Sequence, residues 1–436
     1  MASDGDSGRR LENAALMCPT RIQPKLLPLE IDLSAAFSFE QGVGRAELLQ
    51  FGPQLERARQ ALLDNPSAAD NSGWKQPQHI LADYHRQRKT SLLGQILAVA
   101  KQLRETVDRV VVLGPPRLVA AASSLFTACG HPHHNDLSRG QRGGRPRIYF
   151  VPALPDNDAL QALLEILPHG RLLQTVDERW GIVALDENIV SPARGEQDPR
   201  QLLAGLFSLL WDQLQSTTTA AGEVQLAVAI GPQQSPLVAL AEQIGMARID
   251  LAESNSAAHF QAGVLFAGSV IGLDVVKLLH GAQAMAERFA TAPVGNNPPL
   301  DLAGLWHLLA KRFRDRSCQI EPATTELAPL ARQLSGSECS HRQSLLLIQW
   351  LPQGSRTDRL SVKIAAGSGS MDRRNCKEQL LTDLAAENAK AVRTARTANG
   401  KFTALVKIPL VDEGAVGQLI EMHHLASAVE HLLLFA

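Results

Sequence analysis

Short runs of aliphatic and β-branched residues alternate along the chain with longer segments in which apolar residues recur every three or four positions. The short runs are typical of buried strands, and the longer segments have the period of helices. Strands that alternate with helices predict βαβ units and a parallel sheet covered by helices. The predicted strands are residues 110–113, 147–151, 181–185 and 224–230, and the predicted crossover helices are residues 118–129, 158–167, 199–214 and 236–244.

The same pattern resumes in the last third of the chain. A stretch rich in proline and asparagine, residues 293–299, precedes a predicted helix at 300–312 and predicted strands at 344–349, 360–364 and 403–408. Near the N-terminus one helical stretch, 45–63, is followed by a turn-rich segment. We therefore predict a partly helical N-terminal arm (1–75), a first α/β domain (76–292) and a second, smaller α/β domain (293–436).

The charge of the chain is balanced, with 43 Lys and Arg against 44 Asp and Glu. No net field draws the molecule to nucleic acid or to an anionic membrane, so local groups have to hold any charged ligand. Basic residues cluster at 139–147 and 393–401, but aromatic residues are only 4% of the sequence, which favours solvated loops over a nucleic-acid site. The first residues are acidic, unlike a signal peptide, and no apolar run approaches the ~18 residues of a membrane span. These features predict a cytoplasmic protein with neither nucleic-acid nor membrane partners.

The cysteines and histidines do not have the spacing of metal ligands. The five cysteines are scattered and form no C-x-x-C pair. His131, His133 and His134 lack acidic or cysteine companions at ligand spacing. The adjacent His423 and His424 point about 100° apart on a helix, so they cannot share one ligand. We predict no metal and no cofactor.

The most specific signal begins at Gly272. Residues 272–289 read GLDVVKLLHGAQAMAERF, and the segments TAP and NP follow at 291–293 and 297–298. Further matching segments lie at 110–113, 143–150, 416–420 and 426–430. Over roughly residues 80–436 this layout resembles the phosphoglucose isomerase family, and its bacterial members in particular.

The resemblance implies a fold, an assembly and a reaction. Members of that family have two sugar-isomerase domains, each a mainly parallel, doubly wound sheet of the flavodoxin-like kind. They usually form homodimers with active sites between the subunits, and they interconvert glucose 6-phosphate and fructose 6-phosphate. This chemistry needs an anion cradle, an acid–base group that opens the ring, a carboxylate that moves a proton between C1 and C2, and a cation that stabilises the enediolate.

The loop that lets substrate approach the backbone is replaced in this sequence. Where the family has G-x-G-G-S, this chain has Gly114, Pro115, Pro116, Arg117 and Leu118. Two prolines remove amide donors, and two larger side chains stand where the family keeps glycine and serine. The replacement predicts that close approach of a sugar is blocked.

The phosphate cradle is also replaced. The family's S-K-[ST]-G-[GT]-T aligns without gaps on residues 186–191, which places Asp186, Glu187 and Asn188 at its first positions. Each carboxylate would oppose a dianionic phosphate by about 1–4 kcal/mol. A shifted alignment instead leaves Ser191 and Arg194 as substitute phosphate ligands.

The cation and the base are missing from their expected positions. The family's arginine falls on Ser254, Asn255 and Ser256. In the segment that carries the glutamate base, Ser337 stands at the glutamate position and Glu338 follows it. One residue rotates a helical side chain by about 100°, so Glu338 is only a weak candidate base. The family's ring-opening histidine and C-terminal lysine have no counterpart in this sequence.

Three hypotheses about function remain open. The first is a phosphoglucose isomerase homologue that is catalytically impaired or inactive. The second is an active isomerase in which Arg194, Glu338 or a partner subunit supplies the missing groups. The third is a non-catalytic protein that senses a sugar phosphate or binds a partner. The expected partners are a sugar phosphate and a second copy of the chain.

Overall fold

The computed structural model describes residues 26–37, 43–65, 74–169, 175–187, 198–217, 226–251, 257–335, 344–357, 359–365 and 376–435. Its strands are β1 (Glu30–Asp32), β2 (Arg109–Gly114), β3 (Arg147–Pro152), β4 (Trp180–Leu185), β5 (Ala227–Pro232), β6 (Ala247–Leu251), β7 (Cys318–Pro322), β8 (Leu346–Pro352), β9 (Ser361–Ala365), β10 (Cys376–Leu380) and β11 (Phe402–Ile408). Its helices are α1 (Arg45–Gln50), α2 (Gly52–Asp64), α3 (Gln76–Gln87), α4 (Leu92–Thr106), α5 (Pro116–Cys129), α6 (Asn157–Ile166), α7 (Pro199–Gln215), α8 (Pro236–Ile244), α9 (Ala262–Val270), α10 (Val275–Thr291), α11 (Pro298–Phe313), α12 (Ala328–Ser335), α13 (Leu381–Ala398) and α14 (Glu413–Phe435).

The first sheet is parallel throughout, in the order β3-β2-β4-β5-β6. Counted by appearance in the chain this order is 2-1-3-4-5, the flavodoxin-like doubly wound arrangement. Every residue of β4 and β5 is buried, which explains why these strands read as continuous apolar runs. The predicted α/β class and the crossover helices α5 to α8 are confirmed. The sequence missed β6, where Arg248 and Asp250 interrupt the apolar run.

The second sheet has the order β1-β11-β8-β7. Strands β7, β8 and β11 are parallel, whereas β1 pairs antiparallel with β11 and places Ile31 opposite Val406. The described part of the N-terminal segment therefore supplies an edge strand that the sequence analysis missed. The predicted strand 360–364 does not join this sheet, because it forms a two-stranded antiparallel pair, β9 with β10. The domain boundaries proposed from the sequence stay predictions.

The predicted helix 45–63 is two helices. Helix α1 ends at Gln50, and α2 begins at Gly52 with Pro53 in its first turn. Proline has no amide hydrogen and fits the first turn of a new helix better than the interior of a continuous one. The apolar segment at 260–271 contains helix α9, all of whose residues are buried. Within the described residues, none of the helices combines the length and the apolar character that crossing a bilayer requires.

The interpretation of the basic clusters as solvated loops holds only in part, because the second cluster lies mostly in helix α13 and each cluster contains a buried arginine. Arg142 has a side chain 0% exposed, and it pairs with Asp108 together with Arg139 and Arg147. In the second cluster Arg396 is 8% exposed and donates hydrogen bonds to backbone carbonyl groups, among them that of Ser344. These arginines pack inside the protein because carboxylate and carbonyl acceptors lie within reach of their donors.

Helices α10 and α14 approach each other closely through glycines. A Cβ atom on Gly417 would lie 2.0 Å from the carbonyl oxygen of Leu278, and one on Gly281 would lie 2.0 Å from the carbonyl oxygen of Gly414. These distances are far below van der Waals contact, and backbone atoms cannot move aside as a flexible side chain can. The two glycines therefore set the spacing of the helix pair.

The Gly417→Ala variant is expected to lower the free energy of unfolding by about 1–3 kcal/mol, because the methyl group forces the two helices apart. Urea unfolding followed by circular dichroism measures the change. The matched control is Gly205→Ala on α7, where a Cβ meets nothing within 4 Å. That substitution should be neutral or stabilise the protein by up to about 1 kcal/mol, since alanine has the higher helix propensity. Equal effects of the two substitutions would contradict the packing argument.

Candidate functional site

The candidate site lies at the carboxyl edge of the first sheet. In a doubly wound sheet, ligands bind where neighbouring strands send their connections to opposite faces. The chain passes from β2 to β3 on one side of β2, and the next strand, β4, lies on the other side. The crevice of this sheet is therefore between β2 and β4. The loops that border it begin at Pro115 after β2 and at Asp186 after β4. Both replaced loops identified in the sequence therefore meet at one crevice.

The loop after β2 turns at once into helix α5. Pro115 precedes the helix and Pro116 is its first residue, so neither offers an amide hydrogen to a ligand. A Cβ on Gly114 would lie 2.8 Å from Cβ of Leu185, so a glycine is required where β2 passes β4. Leu118 is 1% exposed and packs in the core. Its side chain therefore adds no bulk to the crevice, contrary to expectation, whereas that of Arg117 is half-exposed.

Arg117 and Glu187 join the two loops. The Arg117 guanidinium donates from Nε to Oε2 of Glu187 at 3.0 Å, and it donates to the same oxygen from Nη2. The side chain of Glu187 is 12% exposed and that of Arg117 is 52% exposed. The ion pair thus spans the crevice from one replaced loop to the other.

Asp186 is buried below this pair, with 1% of its surface exposed. Burial raises the pKa of its carboxyl group, and hydrogen bonds from Ser235 and from the Glu187 amide partly offset the effect. The sequence suggested that both carboxylates are open to a phosphate. In the structure Asp186 is buried and Glu187 is paired with Arg117. The direct repulsion of an incoming anion is correspondingly weaker than predicted.

A second polar cluster links three elements next to α5. The hydroxyl of Ser124 on α5 lies 3.3 Å from Nε2 of His259 and 3.2 Å from Oε1 of Gln333 on α12. His259 belongs to the 3-10 turn Ala258–Phe260 and is 4% exposed. Burial lowers the pKa of His259 to about 4, although its hydrogen bond to Gln333 acts in the opposite direction. The imidazole is therefore neutral at pH 7.

The sequence analysis did not single out Ser124 or His259. Gln333 precedes the segment with Ser337 and Glu338, but nothing in the sequence indicated that Gln333 approaches Ser124, 209 positions earlier. His424 on α14 lies near the same cluster, with its ring centroid 6.5 Å from that of His259. Within the described residues, no group of three or more His, Cys, Asp or Glu side chains is arranged to hold a metal ion.

Comparisons with known proteins find a similar sequence and solved structures of similar fold. No family model matches the chain. A glucose-6-phosphate isomerase from Carboxydothermus hydrogenoformans is 24% identical over 256 residues, which are 57% of this chain and 51% of that protein. A solved hypothetical protein from Thermus thermophilus has a TM-score of 0.69 at 18% identity and covers 93% of this chain and 94% of its own. A glucose-6-phosphate isomerase from Chlamydia trachomatis has a TM-score of 0.62 at 13% identity and covers 92% of this chain and 83% of its own.

The chain is thus similar to glucose-6-phosphate isomerases, at low sequence identity. It spans about half the length of the curated relative that it matches. The structural likenesses, at this level of identity, establish the fold alone. The chain carries an ion pair and two prolines at the switch-point crevice of that fold. The other candidate positions lie outside the described residues, so their roles stay predictions: Asn188, Ser191, Arg194, Ser254, Asn255, Ser256, Ser337 and Glu338.

Proposed function

We propose that the protein is a non-catalytic member of its family that binds a ligand or a partner and does not interconvert glucose 6-phosphate and fructose 6-phosphate. The observation that carries the proposal is the Arg117–Glu187 ion pair across the crevice between β2 and β4. A sugar phosphate that entered there would meet a guanidinium already engaged by a carboxylate. It would also find no amide donors at Pro115 and Pro116.

The energetics of binding favour the closed crevice. A charge-assisted hydrogen bond contributes about 1.5–3 kcal/mol, and the half-exposed position of Arg117 reduces this figure through solvent screening. A phosphate could use the guanidinium only by displacing Glu187, which would then remain beside it as a second negative charge. The resulting complex would have little net advantage over the free protein.

The described residues around the crevice also lack a group suited to the proton transfers. An acid–base catalyst works best with a pKa near the operating pH. Burial holds the pKa of His259 at about 4, and Ser124 is fully buried. These side chains form a structural network between α5 and α12. The expected homodimer and cytoplasmic location stay predictions from the resemblance and the composition.

A coupled spectrophotometric assay of the purified chain with fructose 6-phosphate is expected to show no turnover above the uncatalysed background. The physical reason is the occupied crevice and the neutral, buried histidine. A turnover number near the ~10 s⁻¹ of an ordinary enzyme would contradict the proposal. A cooperative thermal transition of the same preparation serves as the control that the protein is folded.

The Glu187→Gln variant sharpens this test, because it releases Arg117 without changing the size of the side chain. The variant should gain stabilisation by millimolar fructose 6-phosphate in a thermal-shift measurement and still show no turnover. Glu165→Gln on the exposed face of α6 is the matched control and should behave as the unmodified chain. Turnover by Glu187→Gln would show that the ion pair alone suppresses catalysis and that the remaining groups suffice for it.

A further inference from the structure

The second sheet has a cavity of its own at its carboxyl edge. It lies beyond the ends of β7 and β8, at Pro322 and Pro352, and has a volume of about 380 Å³. Pockets for small molecules typically measure about 300–1,000 Å³ and combine apolar walls with a few convergent polar groups. The polar side chains that line this cavity are Thr324, Glu326, Ser355, Arg356, Thr357 and Thr382. From these groups we propose that the cavity binds a small organic monophosphate.

Two threonine hydroxyls at the cavity have no hydrogen-bond partner within the described part of the chain. They are Oγ1 of Thr324 and Oγ1 of Thr382, and both atoms are buried. Buried polar atoms in folded proteins are almost always satisfied by protein or by a bound molecule. An unsatisfied hydroxyl costs about 1–3 kcal/mol of desolvation, so two at one cavity indicate that something else completes their hydrogen bonds.

Each hydroxyl also stands at the start of a helical segment. Thr324 precedes the 3-10 turn Thr325–Leu327 that leads into α12, and its hydroxyl caps no amide in the described residues. Thr382 is the second residue of α13, an 18-residue helix preceded by Leu380, whose side chain has no capping oxygen. The first amide groups of a helix lack intrahelical acceptors and carry a partial positive charge, so they favour an anion.

Arg356 supplies a full positive charge to the same cavity. Its Nη1 donates to the carbonyl oxygen of Cys129 at 2.5 Å, which holds the side chain in place at the end of α5. Its Nη2 lies 3.8 Å from Oε1 of Glu326. That separation is an ion pair but is too long for a hydrogen bond, and Arg356 lines the cavity, where its charge favours an anion.

The remaining walls restrict the class of anion. Pro132, Pro352 and Val411 present apolar surface, which suits the carbon skeleton of an organic ligand better than a bare ion. Glu326 would repel a second acidic group but can accept a hydrogen bond from a ligand hydroxyl. A compact monophosphate that carries a hydroxyl group fits both features. This site is separate from the crevice of the first sheet, and the inference does not depend on the proposed loss of isomerase activity.

Isothermal calorimetry at constant ionic strength tests the proposal with two probes, inorganic phosphate and glycerol 3-phosphate. Both are expected to bind saturably at millimolar concentrations, glycerol 3-phosphate more tightly. Thr382→Val keeps the side-chain shape and should weaken both affinities by about tenfold, as expected for one lost hydrogen bond to a charged group. Arg356→Gln should weaken them by at least as much. Thr394→Val on the same helix is the control, because its hydroxyl donates to the Lys390 carbonyl group and lies outside the cavity.

The possible outcomes either support or overturn the site. Absence of saturable binding by both probes to the unmodified protein would overturn it, as would unchanged affinity in Thr382→Val. The Arg117→Gln variant locates the ligand: an affinity equal to that of the unmodified chain supports the second sheet, whereas a large loss of affinity would move binding to the first-sheet crevice and overturn the assignment. Isomerase activity is not part of this readout, so the two proposals fail independently.

Discussion

The Asp108→Asn variant is expected to lose about 3–5 kcal/mol of unfolding free energy, a large share of the stability of an ordinary domain. Asp108 immediately precedes β2, and its side chain is 2% exposed. It accepts hydrogen bonds from Arg139, Arg142 and Arg147, all supplied by the segment that leads into β3. Removing its negative charge leaves the fully buried guanidinium of Arg142 without a counter-charge. Leaving one partner of a buried ion pair uncompensated costs more unfolding free energy than the intact pair adds.

The same residue also holds the backbone together at the start of the sheet. The Asp108 amide donates to the Arg179 carbonyl group at 2.9 Å, and the Asp108 carbonyl group accepts from the Arg147 amide at 2.7 Å. Asparagine keeps these backbone bonds and nearly the same shape, so the variant isolates the loss of charge. Local geometry is therefore not expected to mask the electrostatic effect.

Urea unfolding monitored by circular dichroism measures the loss, with Asp136→Asn as the matched control. The Asp136 side chain is 80% exposed and lies 3.5 Å from His133 on the surface. Exposed pairs of this kind contribute little, so the control should change stability by less than about 0.5 kcal/mol. A loss below about 1 kcal/mol in Asp108→Asn would contradict the view that the arginines depend on this carboxylate.

The pH dependence of stability is the second large effect that we expect. It originates in buried ionisable side chains of α14 and in His259 of the 3-10 turn Ala258–Phe260. Burial lowers the pKa of His423 and of His424 to about 3, and that of His259 to about 4. The unfolded chain binds protons at these histidines as the pH falls below about 6.5, whereas the folded chain does not. Each histidine therefore removes up to about 1.4 kcal/mol of stability per pH unit on acidification below that value.

Glu421 acts in the opposite direction. It is 0% exposed, neither carboxyl oxygen has a hydrogen-bond partner among the described residues, and burial raises its pKa well above the ordinary value. The pKa of Glu421 is higher in the folded chain than in the unfolded chain. Its contribution to stability is therefore fully present below about pH 4.5 and is lost as the pH rises. Below about pH 6.5 the three histidines together outweigh Glu421, so stability should be greatest near pH 6.5 and decline on the acid side because of the histidines and on the alkaline side because of Glu421.

Two variants separate these causes in unfolding measurements at several pH values. Glu421→Gln should raise stability at pH 8 and have little effect near pH 4.5, since the amide never ionises, with a gain of up to about 1.4 kcal/mol for each pH unit over which only the unfolded chain ionises. His423→Leu should reduce the loss of stability between pH 6.5 and 5, whatever its packing against Trp350 does to the absolute value. His79→Gln is the control, because His79 is exposed. Parallel pH profiles for all variants would show that the buried groups do not titrate as argued.

Local patterns in the sequence were sufficient for most secondary structure of the first sheet. Helix α8 has its predicted bounds, because Ser235 caps its first turn and Gly245 ends it in a left-handed conformation. Strand β4 was recognisable because every residue is buried between two layers of helices. The edge strand β1 was not recognisable, since its pairing with β11 lies more than 370 positions away in the chain.

The candidate site likewise combines features that the sequence predicts with features that depend on the tertiary structure. The sequence by itself predicted that Pro115, Pro116, Asp186 and Glu187 stand in place of two loops of the family that it resembles. Only the tertiary structure decided that Glu187 pairs with Arg117, 70 positions earlier. The sequence likewise could not show that Arg139, Arg142 and Arg147 pair with Asp108. Charge pairing and burial depend on distance in space, and folding sets that distance independently of separation along the chain.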